Sequence, residues 1–253
     1  MFVDLTNQPC LVVGGGTVAY RKVRTLLDFD AAVVVVAEEI CDSIVELAAQ
    51  ADNRVELQTK SFEEAGTYVK LRKKLFEETD CDGMTIVVAA TDDIFLNHRI
   101  AQYCKQNGIM VNAVDQKEDC SFIFPSYRKE KNLVAAFSSG GNSPVLTQYL
   151  KEKEKPILTP FLGELNEYMG EIRDTVIREY ESEDERKRAF QEIAKAAIES
   201  GILPQKIMWK IYFPLADLCL RKGRKYRRVC WIRKGMVIRM RYLIGTRVLI
   251  STL

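Results

Sequence analysis

The segment CLVVGGGTVAYRKVRTLL, residues 10–27, constrains the fold more than any other part of the chain. Its apolar start reads as a short buried strand that ends at Gly14. From Thr17 onward the apolar residues fall at 18, 19, 23, 26 and 27, which is helical spacing. A strand, a glycine turn and a helix in immediate succession are the setting in which a dinucleotide fingerprint works. Gly14-x-Gly16-x-x-Ala19 fits that pattern. Gly14 would permit the tight turn, Gly16 the approach of backbone to a pyrophosphate, and Ala19 the close packing of helix on strand. The helix N-terminus would then turn free N–H groups and its positive dipole end toward the phosphates. The competing reading is a glycine-rich turn with no ligand.

The segments that follow extend the same pattern. Residues 31–37 (AAVVVVA), 55–59 (VELQT), 84–91 (MTIVVAAT) and 108–114 (GIMVNAV) read as further strands, with helical patterns at 38–51 and 93–107. Apolar strands alternating with helices imply a parallel sheet covered on both faces. Asp92 or Asp93 would cap the helix beginning DIFLNHRI, and Gly108 would close it. Residues 68–80 (YVKLRKKLFEETD) read as an extra charged helix. An NAD site places an acid after the second strand to hold the ribose hydroxyls. Glu38 stands there, with Glu39 behind it; equally, both glutamates would suit the start of the next helix. No arginine lies at that point, so NAD is expected over NADP.

Beyond residue 114 the pattern changes to two strands, 120–125 and 132–138, then a Ser/Gly loop and a helix opened by Pro144. Helical stretches follow at 157–181 and 183–200. The expected fold class is α/β: a Rossmann-type parallel sheet domain, 1–114, a small β dimerisation segment, 115–142, and a helical domain, 143–204. Residues 205–253 stand apart. They hold thirteen of the 37 Lys and Arg and one of the 35 acids, Asp217, so they carry +12 against −10 for the remainder.

Five motifs in order, VVGGGTVAYRKVRTLL, VAATDD, VNAVD, FIFPS and FSSGGNSPVLTQYL, resemble the precorrin-2 dehydrogenase family, which includes the N-terminal module of bifunctional siroheme synthases. The resemblance covers about residues 1–204. It implies NAD as cofactor, a homodimer, and oxidation of precorrin-2 to sirohydrochlorin; several members also insert Fe2+ as ferrochelatases. It implies pyrophosphate contacts at Gly14, Gly15, Gly16, Thr17 and Val18, and adenosine-side contacts at Glu38 and Glu39. Thr91 and Asp92 belong to the loop above the fourth strand. Asp115, closing VNAVD, matches the family aspartate assigned to catalysis. Ser139, beside Gly140, matches a serine near the tetrapyrrole that some relatives phosphorylate. One departure is Asp28-Phe29-Asp30, where the family usually has a glycine; Asp30 would take the left-handed conformation that Asp tolerates. The stretch 66–82 is also longer than expected.

The chemistry of the residues agrees with that resemblance. Aromatising a macrocycle position requires loss of a hydride and of a proton, and a carboxylate at a strand end can take the proton as general base. Asp115 sits at the end of the fifth strand, on the edge where such sheets bind ligands; its competing reading is a turn aspartate. The substrate is a polycarboxylate, which Arg128, Lys129, Lys131 and the 139–141 amides could meet, unless those cations form a solvated hairpin tip. The one histidine, His98, reads as a surface or cap residue. With no His/Cys cluster, no resident metal is expected. Seven scattered cysteines and the lack of a signal-peptide pattern or an 18-residue apolar run fit a reduced, cytoplasmic enzyme with no membrane or nucleic-acid partner. In the tail, MRYLIGTR (240–247) faintly resembles the opening of porphobilinogen deaminase, as a truncated fusion would. The alternative function is a non-catalytic NAD-binding Rossmann sensor, against which Asp115 and the SSGG loop argue.

Overall fold

The computed structural model describes residues 2–55 and 68–204. They form two compact units, one within residues 2–125 and 138–144, the other within 126–137 and 145–204.

The first unit holds five parallel strands: β1 (Pro9–Val13), β2 (Ala32–Ala37), β3 (Val69–Lys73), β4 (Ile86–Ala89) and β5 (Met110–Ala113). Their spatial order is β3-β2-β1-β4-β5. The central strands are apolar on both sides because both sheet faces are covered. On one face Val12, Val33, Val35 and Val88 pack against α1 (Thr17–Asp28) and α2 (Asp42–Val55). On the other, Leu11, Val13, Val34 and Val87 pack against Ile100, Ala101 and Cys104 of α3 (Ile94–Gln106). Asp93 caps α3 as expected, accepting from the N–H groups of Phe95 and Leu96 at 2.9 and 3.1 Å, and Gly108 turns the chain out with φ +69°. Asp30 takes the expected left-handed conformation at φ +59°, which lets α1 turn back into β2 without a glycine.

Two readings of local structure are corrected. Residues 68–80 are not a charged helix: Val69–Lys73 is the edge strand β3, followed by a 3₁₀ turn, α4 (Glu78–Cys81). Tertiary pairing with β2 overrides the helical propensity of its lysines. Residues 120–125 form no strand; Phe122 and Phe124 pack against the core of the first sheet face, and Ser121 N–H donates to the Val111 carbonyl of β5 at 2.8 Å with no ladder following. A second 3₁₀ turn, α5 (Lys117–Asp119), leads into this segment. The strand expected at 55–59 lies outside the described residues beyond Val55, which ends α2.

The second unit pairs β6 (Ser126–Glu130) antiparallel with β7 (Leu133–Phe137). Four helices follow: α6 (Pro144–Glu154), α7 (Pro160–Glu171), α8 (Arg173–Glu179) and α9 (Glu183–Ser200). Leu165, Tyr168, Val176, Ala189 and Ile193 form its core. A Cβ on Gly163 would stand 2.6 Å from the Glu130 carbonyl oxygen, so only glycine lets α7 lie this close to the hairpin. Ser182 and Glu185 form a reciprocal capping box on α9. The basic tail and its resemblance to porphobilinogen deaminase lie outside the described residues.

Candidate functional site

The site is built from loops at the C-terminal ends of the strands. The turn after β1 is wedged between two neighbours. Gly14, at φ +121°, lies against the loop after β4: a Cβ there would stand 2.3 Å from the Ala90 carbonyl oxygen. Gly15 lies against the loop after β2: a Cβ would stand 1.9 Å from the Glu39 carbonyl oxygen. Two hydrogen bonds tie the turn down, from Gly14 N–H to the Val36 carbonyl and from Cys41 N–H to the Gly15 carbonyl, both 2.9 Å. Gly14 and Gly15 are thus glycines because protein backbone occupies the space of a side chain.

Gly16 differs. A Cβ there meets nothing within 4 Å. It is the N-cap of α1, makes no side-chain cap, and is exposed together with Thr17 and Val18. The first helical bond runs from Tyr20 N–H to the Gly16 carbonyl, so the N–H groups of Thr17 and Val18 precede the ladder. An uncapped helix N-terminus facing open space at a glycine is a cradle that a pyrophosphate fits. When bound, NAD supplies a hydride acceptor.

The exposed Glu38 and Glu39 carboxylates stand on the loop packed against Gly15, where the adenosine end of such a nucleotide would lie. Beside them β3 places three cations that the sequence reading did not bring to this edge. Lys73 pairs with Ala37 in the sheet, and Lys74 N–H donates to the Ala37 carbonyl at 3.1 Å. Arg72 and Lys74 are committed to the buried Asp80 at 3.2 and 3.0 Å.

On the other side of the turn, Thr91 is locked in place. Its hydroxyl donates to Asn97 Oδ1 at 2.7 Å, its N–H reaches the same oxygen at 3.2 Å, and Asn97 Nδ2 returns a bond to the Thr91 carbonyl at 3.0 Å. Asn97 was missed in the sequence. Its signal was there: positions 97, 100, 101 and 104 are the buried stripe of α3, and only 97 is polar. Asp92 is exposed on the same loop.

Asp115 follows β5 and is exposed in the left-handed region at φ +59°. The loop 138–144 belongs to this unit too. Gly141 leaves room for the side chains of Lys117 and Ile123, and Lys117 Nζ donates to Asn142 Oδ1 at 3.3 Å. Ser139 Oγ accepts from Ser143 N–H at 2.9 Å, and Gly140 takes φ +63°. One unit therefore assembles Gly14, Gly15, Gly16, Thr17, Val18, Glu38, Glu39, Thr91, Asp92, Asp115, Ser139 and Gly140. Arg128 belongs to the second unit, where it pairs with Glu130 at 3.3 Å. Lys131 there holds Glu167. His98 bonds Asp119 and Gln102, both at 2.8 Å, and among the described residues no three His, Cys, Asp or Glu cluster as a metal site.

Strand order β3-β2-β1-β4-β5 reverses direction between β1 and β4, and the glycine turn stands at that switch point. Fold and site together define a Rossmann-type dinucleotide-binding domain. Residues 1–126 match a family model described as "Putative NAD(P)-binding". The siroheme synthase of Ruthia magnifica is 34% identical over 219 residues, 86% of this chain and 42% of that protein. The siroheme synthase of Methylococcus capsulatus is 36% identical over 192 residues, 76% of this chain and 37% of that protein. The chain thus spans about two-fifths of the length of these relatives. A solved structure titled "SirC, precorrin-2 dehydrogenase" shares the fold, with TM-score 0.64 and 23% identity over 86% of this chain and 98% of that one. The chain is a relative of the siroheme synthases and corresponds to their N-terminal module, as the motif resemblance has it.

Proposed function

We propose that this chain oxidises precorrin-2 to sirohydrochlorin with NAD in siroheme biosynthesis, and that Asp115 is the general base. The observation that carries the reading is the position of Asp115: an exposed carboxylate on the C-terminal edge that also carries the open, uncapped helix start at Gly16. The names of the related siroheme synthases and of the structurally similar precorrin-2 dehydrogenase support the substrate. The substrate gives up a hydride and a proton. The glycine turn with Thr17 and Val18 holds the pyrophosphate; Glu38 and Glu39 take the adenosine side; the Asn97-locked Thr91 and Asp92 wall the nicotinamide side. Ser139 and Gly140 contact the tetrapyrrole. Glu38 at the ribose position supports NAD over NADP; of the cations at that edge Arg72 and Lys74 are committed to Asp80, while Lys73 is exposed.

Asp115→Asn tests the assignment, since Asn keeps the shape and also tolerates the left-handed backbone. Turnover falls about 10²–10⁴-fold, the usual contribution of a positioned base, while NAD affinity is unchanged. A wild-type rate in that variant removes Asp115 from the chemistry. Fe2+ enters as a second substrate: the exposed Asp115 carboxylate accepts the pyrrole N–H protons released on metalation, and the same variant loses iron insertion.

The working form is a homodimer built on the second unit. Among the described residues no further strand pairs with either edge of its two-stranded sheet, and α6 exposes Val145, Leu146, Tyr149 and Leu150. Light scattering that gives a monomer at micromolar concentration contradicts this. No helix among the described residues is long and apolar enough to cross a membrane.

A further inference from the structure

Lys22 lies on α1, five residues past Thr17, so about 7.5 Å along the helix from the pyrophosphate cradle. It is half-buried, with Nζ 4.2 Å from the centre of the Phe124 ring. That ring is fixed. Phe124 packs edge-on against Phe122 at 5.0 Å, and Asn112 Nδ2 on β5 donates to the Phe122 carbonyl at 3.1 Å. Among the described residues no carboxylate lies within ion-pair distance of Nζ. Burial holds the ammonium below the ordinary lysine range. Two groups facing it, Cys120 and Asp115, pull the other way. A half-buried ammonium over a ring, with no carboxylate at ion-pair distance among the described residues, keeps the capacity for a charge-assisted hydrogen bond. Such a group is placed for an anion that arrives with a ligand.

We propose that Lys22 binds a carboxylate of the tetrapyrrole and so sets the macrocycle against Asp115. This rests on the functional reading above and adds to it the specificity residue. The anion is a substrate carboxylate rather than the nucleotide pyrophosphate, because Nζ lies over the Phe124 ring and within electrostatic reach of Asp115, the base that the substrate must meet.

The test compares the full-length wild type with Lys22→Met and Lys22→Arg. Three quantities are read: KM and kcat for precorrin-2, the affinity for NAD, and the affinity for an octacarboxylate porphyrin followed by its fluorescence. A charge-assisted hydrogen bond is worth enough to raise KM about 10- to 100-fold when lost. Lys22→Met shows that rise and the same weakening toward the porphyrin, with kcat within a few-fold and NAD affinity unchanged. Lys22→Arg recovers most of it. Equal porphyrin affinity in wild type and Lys22→Met overturns the proposal and leaves the functional reading intact. A drop in NAD affinity with an unchanged circular dichroism spectrum assigns Lys22 to the nucleotide and also overturns it. A wild type that binds the porphyrin but never oxidises precorrin-2 overturns the functional reading alone; one that binds no porphyrin overturns both. Where Lys22→Met does not fold, reductive methylation of the wild type decides. The porphyrin shields Lys22 from the reagent if the proposal holds, and a Lys22 methylated equally with and without porphyrin refutes it.

Discussion

Substituting alanine at Gly15 and, separately, at Gly16 tests how the glycine turn divides its labour. At Gly15 the new Cβ would stand 1.9 Å from the Glu39 carbonyl oxygen and 2.9 Å from the Glu39 carbonyl carbon and Ile40 Cα. All three are backbone atoms, so no side chain can swing away. Restoring ordinary contact, at least about 3.4 Å, moves the loop after β2 by about 1.5 Å. That displacement breaks the 2.9 Å bond from Cys41 N–H to the Gly15 carbonyl. Overpacking costs about 1–3 kcal/mol and the lost hydrogen bond about 1 kcal/mol more. For a chain of this size each kcal/mol moves the melting midpoint by about 2–4 °C, so Gly15→Ala melts about 5–15 °C below wild type. At Gly16 the new Cβ meets nothing within 4 Å, and φ is −88°, which alanine adopts freely. The cost is a weaker N-cap, about 0.5–1 kcal/mol and at most about 4 °C. Yet that methyl group stands in the cradle. Thermal unfolding by circular dichroism without NAD, followed by calorimetric NAD titration, separates the two. Gly16→Ala keeps its fold and loses NAD affinity; Gly15→Ala loses stability first. A Gly15→Ala midpoint equal to wild type, or wild-type NAD affinity in Gly16→Ala, would refute the reasoning.

Asp80→Ala leaves Arg72 and Lys74 without their shared, buried carboxylate and removes the acceptor of Glu77 N–H at 3.0 Å. With both cations about a third exposed, the loss falls at the low end for a broken buried pair, about 3 kcal/mol in urea unfolding. Asp115→Ala costs about 1 kcal/mol because alanine tolerates φ +59° poorly, whereas Asp115→Asn unfolds at the wild-type midpoint. Lys22 gives a pH signature. Its pKa is lowered on folding, so between that lowered value and the unfolded value the unfolded chain binds more protons, and stability rises with pH. The stability that Lys22→Met gains over wild type in urea at neutral pH therefore shrinks as pH approaches about 10.4, the unfolded value; a gap that widens would contradict the burial of this ammonium.

The elements legible in the sequence are those whose cause is local. The valine runs of β1 and β2 are apolar because the sheet is covered twice, and α3 announces itself through Asp93 and Gly108. The glycine turn was legible for the same reason, although the sequence could not divide Gly14 and Gly15, which meet backbone, from Gly16, which meets open space. β3 was hidden because an edge strand with cations at 70, 72 and 73 carries a helical composition, and its identity comes from pairing with β2. The alternation of Phe122 and Phe124 reported one buried side correctly, but burial against a sheet face is not membership of its ladder. Lys22 left no signal, since it flanks the buried Ala19, Val23 and Leu26 stripe as any helical lysine would. Its ring partner is a hundred residues away in the chain, and only the fold joins them.

Anaerobic addition of precorrin-2 to the full-length chain with NAD tests the central claim most directly. NADH absorbance and the sirohydrochlorin spectrum are recorded together. The account predicts that both rise in step, one NADH for each sirohydrochlorin, and that Asp115→Asn suppresses both alike. A chain that binds NAD at the glycine turn but forms neither product contradicts it, and leaves a nucleotide sensor in place of the dehydrogenase.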